Sequence, residues 1–161
     1  MTTPLTKLQK SMIEKNIAYY LIPSEDPHQS EYVDAHYKCR QFISGFTGSS
    51  GAVLAEQTES RLWTDGRYFT QAEAQIDSEQ MKLMKMGVAG VPTILEYLTE
   101  HLSEGDVLGL NGRMINTSYG KKLARLAASK KAVLETDHTL AEDLWTGRPA
   151  AAASPIFIHE D

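Results

Sequence analysis

Hydrophobic positions change their period several times along the chain, and each change marks an element. Behind Pro4, the residues Leu5, Leu8, Met12 and Ile13 recur at helical spacing, which predicts an amphipathic helix ending near Asn16. Ala18-Tyr19-Tyr20-Leu21-Ile22-Pro23 is apolar, aromatic and stopped by proline, as a first strand would be. Gly51 to Ala55 and Arg61 to Thr64 are two more strands joined by a short polar turn, so part of the sheet is a hairpin and antiparallel. After Arg67 the pattern becomes helical through Gln75, and Met81 to Met86 then alternates as a strand.

The second half repeats one unit. Ile94, Leu95, Leu98 and Leu102 form a helical stripe followed by the strand Asp106 to Leu110; Tyr119, Leu123 and Leu126 form another, closed by Ala132-Val133-Leu134. Strand, helix, strand, helix, strand is a crossover pattern, which needs a sheet covered by helices. After Trp145 the composition shifts to the small-residue stretch Gly147-Arg148-Pro149-Ala150-Ala151-Ala152-Ala153-Ser154-Pro155, a linker by composition. The apolar Ile156-Phe157-Ile158 beyond it reads either as the start of a further domain, the chain then being a fragment of a longer protein, or as a disordered tail. The expected organisation is one domain over residues 1–146, with 147–161 a linker into a second domain that this chain lacks.

Composition narrows the classes. A chain of 161 residues is long enough to bury one real core. A formal charge of -5 argues against nucleic acid or an anionic membrane as partner, and Lys121-Lys122 and Lys130-Lys131 are read as solvated helix faces. The one cysteine, Cys39, excludes an internal disulfide and is read as a buried, inert thiol of a reducing, cytoplasmic compartment. No apolar run approaches the roughly 20 residues that a membrane helix requires.

Candidate chemistry concentrates at Trp63-Thr64-Asp65-Gly66-Arg67-Tyr68-Phe69, where an arginine flanked by aromatics falls at a strand-to-helix junction. Ligands approach α/β sheets at such polar strand ends, and a guanidinium forks onto carboxylates. From the residues alone, a salt bridge from Arg67 to Asp65 is the simpler reading. Gly45-Phe46-Thr47-Gly48-Ser49-Ser50-Gly51 is glycine-rich, but no lysine follows the last glycine and a strand rather than a helix comes next, so it is not a phosphate loop. Ser49 and Ser50 sit one residue too close to their glycines for a nucleophile elbow. His28, His36, His101, His138 and His159 are isolated and lack the paired spacing of a helical zinc site; local roles are expected for all five, with His28 and Glu31 placed to order the loop after the first strand. Asn116-Thr117-Ser118 matches a glycosylation acceptor, yet a helix cap is the plainer role for Asn116.

Taken in order, Ile22-Pro23-Ser24, His28-Gln29-Ser30-Glu31-Tyr32, Phe42-Ile43-Ser44-Gly45-Phe46-Thr47-Gly48-Ser49-Ser50-Gly51 and Trp63 through Phe69 resemble the Xaa-Pro aminopeptidases (aminopeptidase P), most closely their large three-domain cytosolic form. The likeness extends to Leu144-Trp145-Thr146-Gly147-Arg148-Pro149. It implies the creatinase/prolidase N-terminal fold, a ribonuclease H-like α/β/α arrangement of three layers around a mixed sheet of about six strands. It further implies a parent enzyme that removes the residue preceding proline, using two divalent ions, commonly manganese, held in a later catalytic domain. By the resemblance this chain carries no catalytic residue, metal ligand or cofactor of its own. It contributes Arg67 to substrate binding, Phe46 as a wall facing the neighbouring domain, and contacts to the parent's second and catalytic domains within a homodimer. The alternative is a free-standing binding or scaffolding module of the same fold.

Overall fold

The computed structural model describes residues 2–155, 157 and 158; Ile156 of the apolar run and His159 lie outside them. Helix α1 (Pro4–Glu14) starts where Thr3 Oγ1 accepts from Thr6 N at 3.1 Å and proline occupies the first position, both favourable at a helix start. It buries Leu5, Leu8 and Met12, while Ile13 of the expected stripe is exposed. Strand β1 (Tyr19–Pro23) leads through a loop and a 3₁₀ turn (Ala35–Tyr37) into the short α2 (Cys39–Ser44). Strands β2 (Ala52–Glu56) and β3 (Ser60–Thr64) form the expected hairpin. Then come α3 (Phe69–Gln75), β4 (Met81–Lys85), α4 (Ile94–His101), β5 (Val107–Leu110), α5 (Thr117–Ser129), β6 (Val133–Glu135) and α6 (Leu140–Asp143).

The six strands form one sheet in the order β4-β3-β2-β1-β5-β6. Only the pairings of β2, with β1 and with β3, are antiparallel; the other neighbours run parallel, as crossover connections require. Side chains along a strand alternate between faces, and β1 feeds two cores accordingly. Tyr20 and Ile22 join Val53, Ala55 and Leu62 under α1, α2 and α6. Leu21 joins Leu54 and Trp63 on the other face, under α4 and α5 with Leu98 and Leu123. The result is a three-layer α/β/α sandwich in which Trp63, Tyr20 and Phe46 are the largest fully buried side chains.

Capping explains where the second-half helices begin. Thr93 and Glu96 make a reciprocal capping box on α4, and Asn116 Oδ1 accepts from Tyr119 N at 2.9 Å to open α5, the role expected of it. Cys39 is buried, and burial pushes its thiol up to about 12. Lys121, Lys122 and Lys131 are exposed and Lys130 is partly so. The chain closes where Trp145 stacks on Phe42 and Arg148 Nε donates to His36 O at 2.7 Å; residues 149–155, 157 and 158 form no helix or strand. No helix of the described residues is long and apolar enough to cross a membrane.

Candidate functional site

The junction singled out in the sequence lies where β3 runs out. Thr64 Oγ1 donates to Ser50 O at 2.6 Å, which ties the strand end to the glycine-rich loop. A Cβ on Gly51 would stand 2.5 Å from Trp63 O, and its φ of 151° lies where side chains rarely go; only glycine lets loop and strand approach so closely.

Beyond Thr64, Arg67 Nε and Nη2 donate to Asp65 Oδ1 and Oδ2, each at 2.9 Å, and Arg67 N donates to Oδ1 at 3.1 Å. That hydrogen bonding holds the Asp65 carboxyl well below the usual carboxylate range, and Asp65 in turn raises the guanidinium. The side chain of Arg67 is nonetheless 70% exposed, its Cζ lies 5.1 Å from the Tyr68 ring centre, and Nη1 carries no hydrogen bond among the described residues. The two sequence readings of Arg67 are therefore compatible in one geometry. One edge of the fork is fixed by Asp65, and the other offers N–H donors suited to a carbonyl or carboxylate.

The glycine-rich loop is organised by a residue that sequence reasoning passed over. Arg40, only 5% exposed, donates from Nε to Ser24 Oγ at 3.1 Å, from Nη1 to Phe46 O at 2.5 Å, and from Nη2 to Gly48 O. Its Cζ also lies 4.7 Å from the Phe46 ring centre. Burial pushes the guanidinium down to about 10, which leaves it charged at neutral pH. An arginine next to Cys39 and two residues ahead of the apolar Phe42-Ile43 pair, with a glycine-rich loop following, is the signal that marks it.

The loop is tied to α3 as well. Thr47 N donates to Gln75 Oε1 at 2.9 Å, Gln71 Nε2 donates to Thr47 Oγ1 at 2.9 Å, and the hydroxyls of Ser49 and Tyr68 are 2.6 Å apart. Phe46 departs from its expected place. Its ring is fully buried against Arg40 and, edge to face at 6.0 Å, Tyr68, and a Cβ on Gly48 would collide with it. Phe46 therefore supports the loop from beneath and gives no wall to a pocket on this domain; the polar loop needs an apolar floor, and a phenylalanine between two glycines folds inward to supply it.

The histidines resolve into local roles. The loop after β1 is ordered by buried Asp26, whose Oδ1 accepts from His28 N at 2.9 Å and Ser30 N at 3.0 Å, rather than by the side chains of His28 and Glu31. His36 Nδ1 lies 2.7 Å from Pro149 O, His101 stacks on Tyr97, and His138 Nε2 meets Glu135 at 2.5 Å. Among the described residues no three His, Cys, Asp or Glu side chains gather as metal ligands, so the residues present do not fit a two-metal centre.

A six-stranded mixed sheet with one antiparallel strand, helices on both faces and a braced arginine turn at the polar end defines an α/β domain of recognisable class. Residues 4–142 match the creatinase/prolidase N-terminal domain family, and the chain belongs to it. It superposes on the X-prolyl aminopeptidase of Caenorhabditis elegans, described as a cytosolic enzyme with a di-nuclear active site, with a TM-score of 0.84 and 33% identity over 92% of this chain and 26% of that one. The N-terminal domain of the cytoplasmic peptidase PepQ of Mycobacterium tuberculosis shares the fold, at TM-score 0.61 and 23% identity over 88% of this chain and 98% of that one. Among curated relatives, the probable Xaa-Pro aminopeptidase P of Arthroderma otae is 39% identical over 159 residues, 98% of this chain. That of Aspergillus fumigatus is 38% identical over 162 residues, 99% of it. The chain spans about a quarter of the length of these relatives.

Proposed function

We propose that the chain is the non-catalytic N-terminal domain of a cytosolic Xaa-Pro aminopeptidase, a metallopeptidase that removes the residue preceding proline from a peptide. The observation that carries this reading is the 39% identity sustained over 98% of the chain with a relative bearing that name. Likeness of that extent to a longer peptidase also favours this reading over a free-standing scaffolding module. The two ions, manganese by expectation, belong to a catalytic domain beyond residues 1–146 and supply an activated water and a polarised scissile carbonyl there.

This domain's part is to bind and orient. Arg67, held on its Asp65 edge, presents its free edge to a carbonyl or carboxylate of the peptide, and a charged, planar donor fixes direction as well as distance. Asp65 keeps the guanidinium from wandering, and the loop of residues 45–51, braced by Arg40 and α3, holds the surface around it. The remaining faces serve contacts with the parent's other domains and with the second copy of a homodimer.

The test is to express the full-length protein that carries this domain and assay it on a short peptide with proline in second position, with and without manganese. Metal-dependent release of the first residue supports the proposal. A downstream region of different chemistry, or turnover indifferent to proline, overturns it.

A further inference from the structure

A cavity of about 330 Å³ lies between the loop after β1 and the glycine-rich loop, and Arg67 does not line it. Its lining includes Arg40, Lys38, Glu31, Ser24, Ser49 and Gly48. What distinguishes it is the state of Arg40. The three acceptors of this buried guanidinium are all neutral, namely a serine hydroxyl and two backbone carbonyls, and among the described residues no carboxylate comes within 4.0 Å of it. Glu25 acts on it only through space. Arginine carries five N–H donors, so the three hydrogen bonds leave two donors free. A buried cation without a counter-ion is costly unless a ligand completes it.

We propose that this cavity binds a carboxylate, which takes the uncommitted N–H donors of Arg40 at the floor and the ammonium of Lys38 at the mouth. Glu31 in the lining and Glu25 acting on Arg40 through space offset the two cations, so the site has no surplus positive charge to hold a doubly charged phosphate and suits a monoanion at most. The hydroxyl of Ser49, 2.6 Å from that of Tyr68, adds a further donor or acceptor beside it. The volume is near the lower end for ligand sites and admits a short acid or one acidic side chain of a polypeptide. The cavity shares Arg40, Gly48 and Ser49 with the loop that supports the Arg67 surface, but carboxylate binding there does not require that the chain serve a peptidase.

The test is titration of the 15N-labelled 161-residue chain, reading the Arg40 Nε–H and the backbone amides of Gly48 and Ser49. The probes are sodium acetate, an acetylated and amidated aspartyl dipeptide, inorganic phosphate, and sodium chloride at matched ionic strength. We expect saturable shifts at these groups with acetate or the dipeptide and none with chloride; the tighter of the two says whether a free acid or a polypeptide is the natural source. Lys38→Gln, at an exposed position, should weaken binding about threefold to fivefold, the size of an exposed ion pair. Arg40→Lys should abolish it, and if that variant loses its dispersed spectrum, Lys38→Gln decides. Shifts that never saturate, that chloride reproduces, or that Lys38→Gln leaves unchanged overturn the proposal, as does phosphate binding more tightly than acetate.

Discussion

The indole of Trp145 lies flat on the ring of Phe42, their centroids 4.9 Å apart and their planes 7° from parallel. Phe42 belongs to α2, a six-residue helix too short to be stable by itself. Trp145 clamps it from the far end of the chain. Half-buried aromatic pairs contribute both area and ring geometry, so Trp145→Ala should lower the unfolding free energy by about 2 kcal/mol, read from urea denaturation. A loss under about 0.5 kcal/mol, the range of ordinary surface changes, would show that α2 holds without it.

The two cores share one sheet, and every strand pairs within it. The chain should therefore unfold as one cooperative domain, with near- and far-ultraviolet dichroism giving coincident thermal transitions. Cys39, buried with its thiol pushed up to about 12, should resist a thiol reagent until that same transition exposes it. Two separated transitions, or rapid labelling in the native state, would contradict the single fold.

If the proposed aminopeptidase is the full-length protein, Arg67→Ala in it should lower kcat/KM on an Xaa-Pro peptide roughly tenfold to a hundredfold, the loss usual for a charged hydrogen-bond donor. Metal content and melting temperature should stay close to the parent's, because the side chain is exposed. Arg67→Lys should recover little, since a point charge cannot reproduce the fork held by Asp65. A variant that loses stability and keeps its turnover would make the arginine structural.

Acid should weaken the fold through carboxylates bound by N–H donors. Asp26, whose carboxyl is lowered chiefly by the Ser30 amide, is buried in the loop after β1. A folded value below the unfolded one stabilises above about pH 4 and is lost as pH falls through the folded value. Asp26→Asn keeps an acceptor but not the charge. It should be less stable than the parent at pH 7, with the gap closing toward pH 2 in urea titrations; a gap independent of pH would show that charge is not what matters. Glu56, raised mainly by burial, works in the opposite direction and blunts the net slope.

Gly51→Ala must either move the carbonyl of Trp63, 2.5 Å from the new Cβ, or abandon a φ of 151°. Strain of this kind costs about 1–3 kcal/mol. Gly90→Ala has open space around it, though its φ of 80° still carries the left-handed penalty, and should cost less. Calorimetric melting of the two variants side by side checks the order, which would reverse if the loop could shift freely.

Local pattern determined the six strands, the hairpin and the three long helices α1, α4 and α5: repeats of 3.6 residues marked the helices, alternation marked β4, and short apolar runs bounded by turn or proline signals marked the other strands. The capping role of Asn116 and the burial of Cys39 were legible for the same local reason. The likeness of residues 22–69 to a peptidase family was legible too, since motifs survive as strings. The sequence could not reveal α2 and α6, six and four residues long, whose helicity depends on tertiary contacts such as the Phe42–Trp145 stack. Nor could it show that Phe46 turns inward, that Asp26 rather than His28 orders the loop after β1, or that Arg40 reaches Ser24, Phe46 and Gly48 at once. Ser24 and Arg40 meet only because β1 and α2 are packed side by side, and a hydrogen bond between residues 16 apart leaves no period in the chain. Arg67 stands between these cases: its residue type announced an anion or carbonyl contact, but only the folded turn decided that Asp65 takes one edge of the fork and leaves the other open.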